Sequence, residues 1–446
     1  MNNGIRIIGA GFAGCEAAWQ AAHRGVEVFL YEMKPVKFSP AHKSEYFAEL
    51  VCSNSFKAER LESAAGLLKE EMRRMGSLLM ECADQCRVPA GGALAVDRND
   101  FSKAVTEKIN ENPLIHVKRE EIEKIPDGGV NIIATGPLTS DALAEDISSM
   151  FGKNLSFFDA AAPIVTAENL NMEKIFAASR YDRGGAYLNC PMDKEEYERF
   201  YSELVTAERA PLRDFDTNDP KVYEGCMPVE VMASRGKDTL RFGPMKPVGL
   251  RDPKTGHRPW AVLQLRPENT AGTLYNLVGF QTNLKFGEQK RVFGMIPGLE
   301  NAEYMRYGVM HRNTFLNSPK ILSPDFSSKQ NHDLFFAGQI TGVEGYMESA
   351  ASGIMAGINA AGRLKGAGSA VLPETTMIGA LSRYAAYGGK GAFQPMGANF
   401  GVLPPLEEHI RDKRQRYAAL SDRALKALDI MLQNNENLCF ESRCLK

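Results

Sequence analysis

The sequence of 446 residues lacks any uninterrupted apolar stretch near the roughly 20 residues needed to span a bilayer, so a membrane-spanning helix is not expected. It lacks a charge imbalance: 53 basic and 55 acidic side chains leave a formal charge of -2, and only local patches could attract a polyanion. It lacks a disulfide framework. Eight cysteines, at 15, 52, 82, 86, 190, 226, 439 and 444, show neither the density of a small secreted domain nor paired zinc-knuckle spacing, so no metal is expected and reduced thiols in a cytoplasm are the simplest reading. The opening MNNGIRIIGAGFAG lacks the charged, apolar and small-residue zones of a signal peptide and reads as structure rather than an address, which again suggests a cytoplasmic protein. Internal repeats and low-complexity tracts are absent as well.

The chain is too long for one compact core, and about two or three domains are expected. Residues 5–8 (IRII) read as a short strand; Gly9, Ala10, Gly11, Phe12, Ala13 and Gly14 then open a helix, CEAAWQAAHRG, closed by Gly25. A second strand, VEVFLYE, ends at Glu32, eighteen residues past Gly14. Strand, glycine loop, helix, strand and acid in this order form a dinucleotide fingerprint: the glycines let a pyrophosphate approach the helix N-terminus, and the acid meets a ribose. The run NIIATG at 131–136 reads as a further strand ending in a glycine turn. Far along the chain, LFFAGQITGVEGYMESAASGIMAGINAAG at 334–362 repeats the pattern, with Gly338, Gly342 and Gly345 before a helix of small residues. A second loop that aims a helix N-terminus at an electron-rich group favours FAD over NAD.

These pieces lie at opposite ends of the sequence yet would build one sheet. The expected architecture is α/β: a Rossmann-type FAD-binding domain of the glutathione-reductase kind, split into residues 1–150 and 276–446, with a mixed α+β domain inserted at 151–275. The insertion carries strand-like runs (TLRFGPM, WAVLQLRP, TLYNLVGF) and a helix-like one, KEEYERFYSELVTAE. The tail NNENLCFESRCLK has few packing cues and is expected to be mobile. Two segments, 241–258 and 411–426, are locally basic and suit either RNA or a solvated face.

Two thiols stand apart. Cys52 lies in ELVCSNSFKAE, close in sequence to Lys57, and a neighbouring cation raises the thiolate fraction that a nucleophile needs. Cys226 lies in YEGCMPVE, where Pro228 would stiffen a loop tip projecting from the insertion. The remaining six cysteines read as structural or incidental.

The strings GAGFAGCEAAWQ, ELVCSNSFKAE, VPAGGALAVDR, YLNCPM, YEGCMPVEVMASRG, DTLRFGPMKPVGL, LVGFQTNLKFGEQKRV and FFAGQITGVEGYMESAASG closely resemble the folate- and FAD-dependent tRNA (uracil-5-)-methyltransferases, the family called TrmFO. The resemblance runs from residue 4 to about 400. It implies transfer of a one-carbon unit from 5,10-methylenetetrahydrofolate to C5 of the T-loop uridine of tRNA, giving ribothymidine, with reduced flavin as electron donor and NADPH or NADH as reductant. It implies FAD contacts at the first glycine loop, Glu32, Asn54, Gly338, Gln339 and Gly342, no obligatory protein partner, and functional thiols at Cys52 and Cys226. C5 of uracil becomes nucleophilic only after addition at C6, a task suited to a thiolate, and the C5 proton must then go to a base. Cys52 is read as the C6 nucleophile and Cys226 as the C5 base, with the reverse assignment open. A buried uridine would have to be extruded from folded tRNA. Related readings are the same chemistry on ribosomal RNA, wobble-uridine modification of the GidA or MnmG kind, and a non-catalytic flavin-binding RNA chaperone. The sequence does not fix the oligomeric state.

Overall fold

The computed structural model describes residues 4–39, 41–152, 155–160, 162–182, 187–210, 227–267, 272–308, 310–388, 393, 395–435 and 438. Its central sheet has five parallel strands in the order Leu334–Phe336, Asn131–Ile133, Ile5–Ile8, Val28–Tyr31, Ile115–Lys118. The first strand thus sits in the middle, and the chain winds outward from it in both directions. In such a sheet the crevice at the carboxyl ends of the strands, where the winding reverses, is the natural ligand position.

Two helices pack on one another and against this sheet. The glycine-loop helix Phe12–Ala22 is buried almost all round, and the long helix Tyr346–Leu364 packs along it. The small residues of both sequences explain the closeness. A Cβ on Gly353 would stand 2.2 Å from the Ala13 carbonyl oxygen, and one on Gly357 would stand 2.5 Å from that of Ala17. Buried carboxylates cap neighbouring helices, one from this pair and one from helix Ala64–Arg74. Glu16 accepts from the backbone N–H of Leu79 at 3.0 Å and from the Ser77 hydroxyl, capping helix Leu78–Gln85. Glu71 accepts from the N–H groups of Met377 and Ile378 at 2.7 and 2.9 Å, capping helix Met377–Tyr387.

The middle of the chain forms a second body. Six strands pair antiparallel in the order Phe176–Ala178, Tyr187–Met192, Ala261–Pro267, Leu274–Leu277, Ile164–Thr166, Tyr304–Arg306. An antiparallel ribbon of Leu155–Ala160 with Met310–Phe315 carries the chain in and out of it. The second hydrophobic core takes residues from Val165 to Ala302, and residues of helix Phe286–Phe293 contribute to it. The first core takes residues up to Ile147 and resumes at Leu316. No helix among the described residues is long and apolar enough to cross a membrane.

Candidate active site

The turn after the central strand is dictated by its glycines. Gly9 has φ +100°, a region costly for other residues, and a Cβ on Gly14 would stand 1.8 Å from the Gly9 carbonyl oxygen. Glu32, at the end of the second strand and only 7 % exposed, reaches back across the loop. Its Oε2 accepts the Ala10 N–H at 2.9 Å and its Oε1 accepts the Lys34 N–H at 3.0 Å. A carboxylate fixed by two backbone donors at the rim of a helix N-terminus is placed to receive ribose hydroxyls.

A cleft runs from this loop to the start of the long helix. Gly9, Ala10, Gly11, Phe12, Ala13 and Glu32 form one wall, Thr135 and Gly136 a second, and Gly338 and Gln339 a third. Gly338 has φ +86° and its N–H donates to the Ser352 hydroxyl at 2.7 Å, while the Gln339 amide donates to the Glu344 carboxylate at 2.9 Å. Three of the anticipated cofactor positions do not line the cleft. Gly14 packs behind the loop, and Gly342, with φ +80°, closes against Phe393, whose ring would lie 2.4 Å from any Cβ there. The Asn54 side chain is wholly buried, donating to the carbonyls of Val96 at 3.0 Å and Pro267 at 2.9 Å. A cleft lined by the positive-φ glycines Gly9, Gly136 and Gly338, with a buried acid at its rim, fits a dinucleotide such as FAD.

Cys52 lines the same cleft, half-buried. Its N–H donates to Tyr346 Oη at 2.9 Å, and its Sγ lies 3.1 Å from the same oxygen. With Oη accepting the backbone proton, the Tyr346 O–H can donate to sulfur once the thiol ionises. Burial first, and then the nearby sulfur, hold the Tyr346 phenol well above its ordinary pKa, so it remains a donor. The ring is fixed by stacking on Phe12, centroids 4.7 Å apart, and Phe12 packs in turn on Phe56 and Phe101.

The cations near Cys52 are not the one its sequence neighbourhood suggests. Lys57 is bound to the buried Glu348 at 2.9 Å. Instead Arg306, on the last strand of the insertion sheet, is close enough to feel the charges of Cys52, Tyr346 and Glu49, although burial, with Arg98 second, lowers its own pKa. Arg98 donates to the carbonyl oxygens of Leu50 and Val51, just ahead of the thiol. Sequence reading missed Tyr346, Arg98 and Arg306. Tyr346 stands directly after the Gly345 turn, a usable signal, whereas nothing local marks the arginines.

Cys226 lies outside the described residues. The chain resumes at a buried Met227, and helix Val229–Ser234 is pinned by Glu230, which accepts from Thr282 Oγ1 and the Asn283 N–H, both at 2.8 Å. Elsewhere burial pushes the Cys82 thiol up to about 12 and raises those of Cys15, Cys86 and Cys190, which suits inert sulfur. Among the described residues no cluster of three or more His, Cys, Asp or Glu could hold a metal ion. In the basic segment 241–258, Arg241 stacks over Trp260 at 3.7 Å beside a Phe242 that is 82 % exposed. In the other, Arg414 pairs with Glu62 and Arg423 donates to the carbonyls of Pro404 and Pro405.

Residues 4–368 match the family model described as glucose inhibited division protein A. The chain is 61 % identical over 427 residues to the methylenetetrahydrofolate–tRNA-(uracil-5-)-methyltransferase TrmFO of Pelotomaculum thermopropionicum, covering 95 % of this chain and 97 % of that one. It is 58 % identical over 436 residues to the TrmFO of Enterococcus faecalis, covering 97 % of this chain and all of the relative. Among solved structures, Aquifex aeolicus GidA in its form II crystal superposes with a TM-score of 0.72 at 16 % identity, over 98 % of this chain and 74 % of that one, a likeness of fold. With its dinucleotide cleft, its inserted sheet and this identity along nearly the whole length, the chain belongs to the TrmFO family within the wider GidA group.

Proposed function

We propose that the chain methylates C5 of a tRNA uridine, the T-loop uridine, with methylenetetrahydrofolate as one-carbon donor. The observation that carries this reading is a half-buried thiol, Cys52, hydrogen-bonded to Tyr346 Oη and lying on the cleft suited to FAD. FAD bound there supplies, when reduced, the electrons that convert the transferred carbon to a methyl group. Backbone N–H groups of the first glycine loop meet the pyrophosphate, and Glu32 meets the adenosine ribose.

Cys52 acts on the base. Its thiolate adds to C6, an Sγ–C6 bond forms, and the displaced π electrons settle on the uracil carbonyl as an enolate that makes C5 nucleophilic. The Tyr346 O–H and the Arg306 charge hold the thiolate before attack. C5 attacks the methylene carbon of the folate; once that C5–carbon bond has formed, Cys226 takes the C5 proton as base, loss of Sγ from C6 restores the ring, and the carbon's remaining bond to the folate nitrogen breaks so that tetrahydrofolate leaves as the carbon is reduced to methyl. The Arg241–Trp260 stack and Phe242 supply the mixture of cation and aromatic face that unstacked RNA bases favour. NADPH or NADH serves as reductant, and no protein partner is required.

The test incubates the purified flavoprotein with unmodified tRNA, methylene-labelled methylenetetrahydrofolate and NADPH, then maps the labelled nucleoside. Label in ribothymidine of the T-loop is expected. Label in a wobble uridine, in ribosomal RNA offered in parallel, or in no nucleoside contradicts the proposal.

A further inference from the structure

The loop that carries Cys52 is held from the other domain. Arg266, on strand Ala261–Pro267 of the insertion sheet, is 6 % exposed. Its Nε donates to Asn54 Oδ1 at 2.8 Å, and its Nη2 donates to Ser53 Oγ at 2.8 Å. Asn54 answers with its own amide, donating to the Pro267 carbonyl at 2.9 Å and to that of Val96 at 3.0 Å. The two residues directly after the thiol are thus clasped by two consecutive residues of an insertion strand. Arg266 also stands in a cross-strand row, opposite Asn276, then Ile164, then Arg306, and the last of these lies near Cys52.

Burying a guanidinium is costly, and an apolar side chain of similar volume would fill the same space at lower cost. Toward the neutral Ser53 and Asn54 oxygens the guanidinium acts as a hydrogen-bond donor rather than an ion-pair partner. What a planar fork adds is geometry: two donors in fixed directions, which a lysine cannot reproduce. We infer that Arg266 is a positioning residue for the Cys52 thiol, fixing the 52–54 segment so that Sγ stays at Tyr346 Oη and faces the cleft. The place of the thiol is then set jointly by the long helix of the FAD-binding domain and by the insertion sheet. A displacement of about 1 Å at a reacting atom can cost on the order of a hundredfold in rate, so this clasp has a kinetic consequence. The catalytic part of the inference rests on the methyltransferase reading above.

Arg266→Gln and Arg266→Lys, made in the full-length flavoprotein, test it. Flavin content should match the wild-type protein, kcat should fall at least tenfold with KM for tRNA within twofold, and the iodoacetamide alkylation rate of Cys52, read by peptide mapping, should change at least threefold. Arg266→Lys should not restore either quantity, because its charge remains but the fork is lost. A flavin-replete Arg266→Gln protein with kcat and Cys52 alkylation both within twofold of wild type overturns the inference, and so does full rescue by Arg266→Lys, which would assign a charge role. If the Arg266 variants do not retain flavin, Ser53→Ala removes one arm while Asn54 keeps the other. A Cys52 alkylation rate changed at least twofold then supports the clasp, and an unchanged rate overturns it. Alkylation needs no turnover, so the clasp is judged even if the wild-type protein fails to methylate tRNA.

Discussion

Replacing Tyr346 by Phe removes a single oxygen from the centre of the site. The ring keeps its stack on Phe12 at 4.7 Å, so the aromatic packing beneath the cleft should survive. Lost are the acceptor of the Cys52 N–H at 2.9 Å and the donor 3.1 Å from its sulfur. A hydrogen bond to an ionised group contributes about 1.5–3 kcal/mol. If the Tyr346 O–H stabilises the thiolate by that amount, its loss lowers the thiolate population at fixed pH by roughly tenfold to a hundredfold, since about 1.4 kcal/mol is one decade. The assay is the second-order rate of Cys52 alkylation by iodoacetamide at pH 7, alongside single-turnover methyl transfer. Both should fall about tenfold or more in Tyr346→Phe, with flavin content unchanged. Alkylation within twofold of wild type in a flavin-replete variant would refute the claim that Tyr346 supports the thiolate.

Other consequences concern the frame. Gly353→Ala puts a methyl 2.2 Å from the Ala13 carbonyl oxygen, so the two helices must separate. Overpacking of that kind costs about 1–3 kcal/mol, and a lower unfolding midpoint with loss of bound flavin should follow. Glu32→Ala removes the acceptor shared by the Ala10 and Lys34 N–H groups, the carboxylate proposed to meet the ribose, and flavin release followed by fluorescence should show affinity weakened by about tenfold or more. Burial pushes the Glu71 carboxyl up to about 7 against the pull of its two N–H donors. Its folded pKa lies above its unfolded one, so its contribution is full below about 4.5 and is lost as pH rises through 7, to an extent of about 3 kcal/mol. Urea midpoints of the wild-type protein should therefore fall between pH 5 and 8 more steeply than those of Glu71→Gln, and parallel curves would contradict this.

What could be read in the sequence was local. Strand, glycine loop and Glu32 follow one another within a single βαβ unit, and the second loop at 338–345 is likewise self-contained, so two of the three walls of the cleft are visible in the chain as self-contained motifs. The small-residue pattern of helix Tyr346–Leu364 announced close packing, though not its partner. Strand Tyr304–Arg306 was not visible, because it is only three residues long and sheet pairing rather than pattern recruits it. Arg266 and Arg306 reach the thiol loop only through the fold. Asn54 illustrates the converse: the family resemblance implies an FAD contact there, and its side chain is buried in hydrogen bonds with Val96, Arg266 and Pro267.

The central claim, a Cys52 thiolate attacking C6 of a tRNA uridine, is tested most directly with tRNA containing 5-fluorouridine. Fluorine at C5 replaces the proton that the base must remove, so addition and one-carbon transfer proceed but release is blocked, and the covalent complex accumulates. With methylenetetrahydrofolate and reduced flavoprotein present, mass spectrometry of the digested complex should find the modified nucleotide attached to the peptide bearing Cys52. Attachment to the peptide bearing Cys226, or no adduct from a preparation that methylates ordinary tRNA, would contradict it.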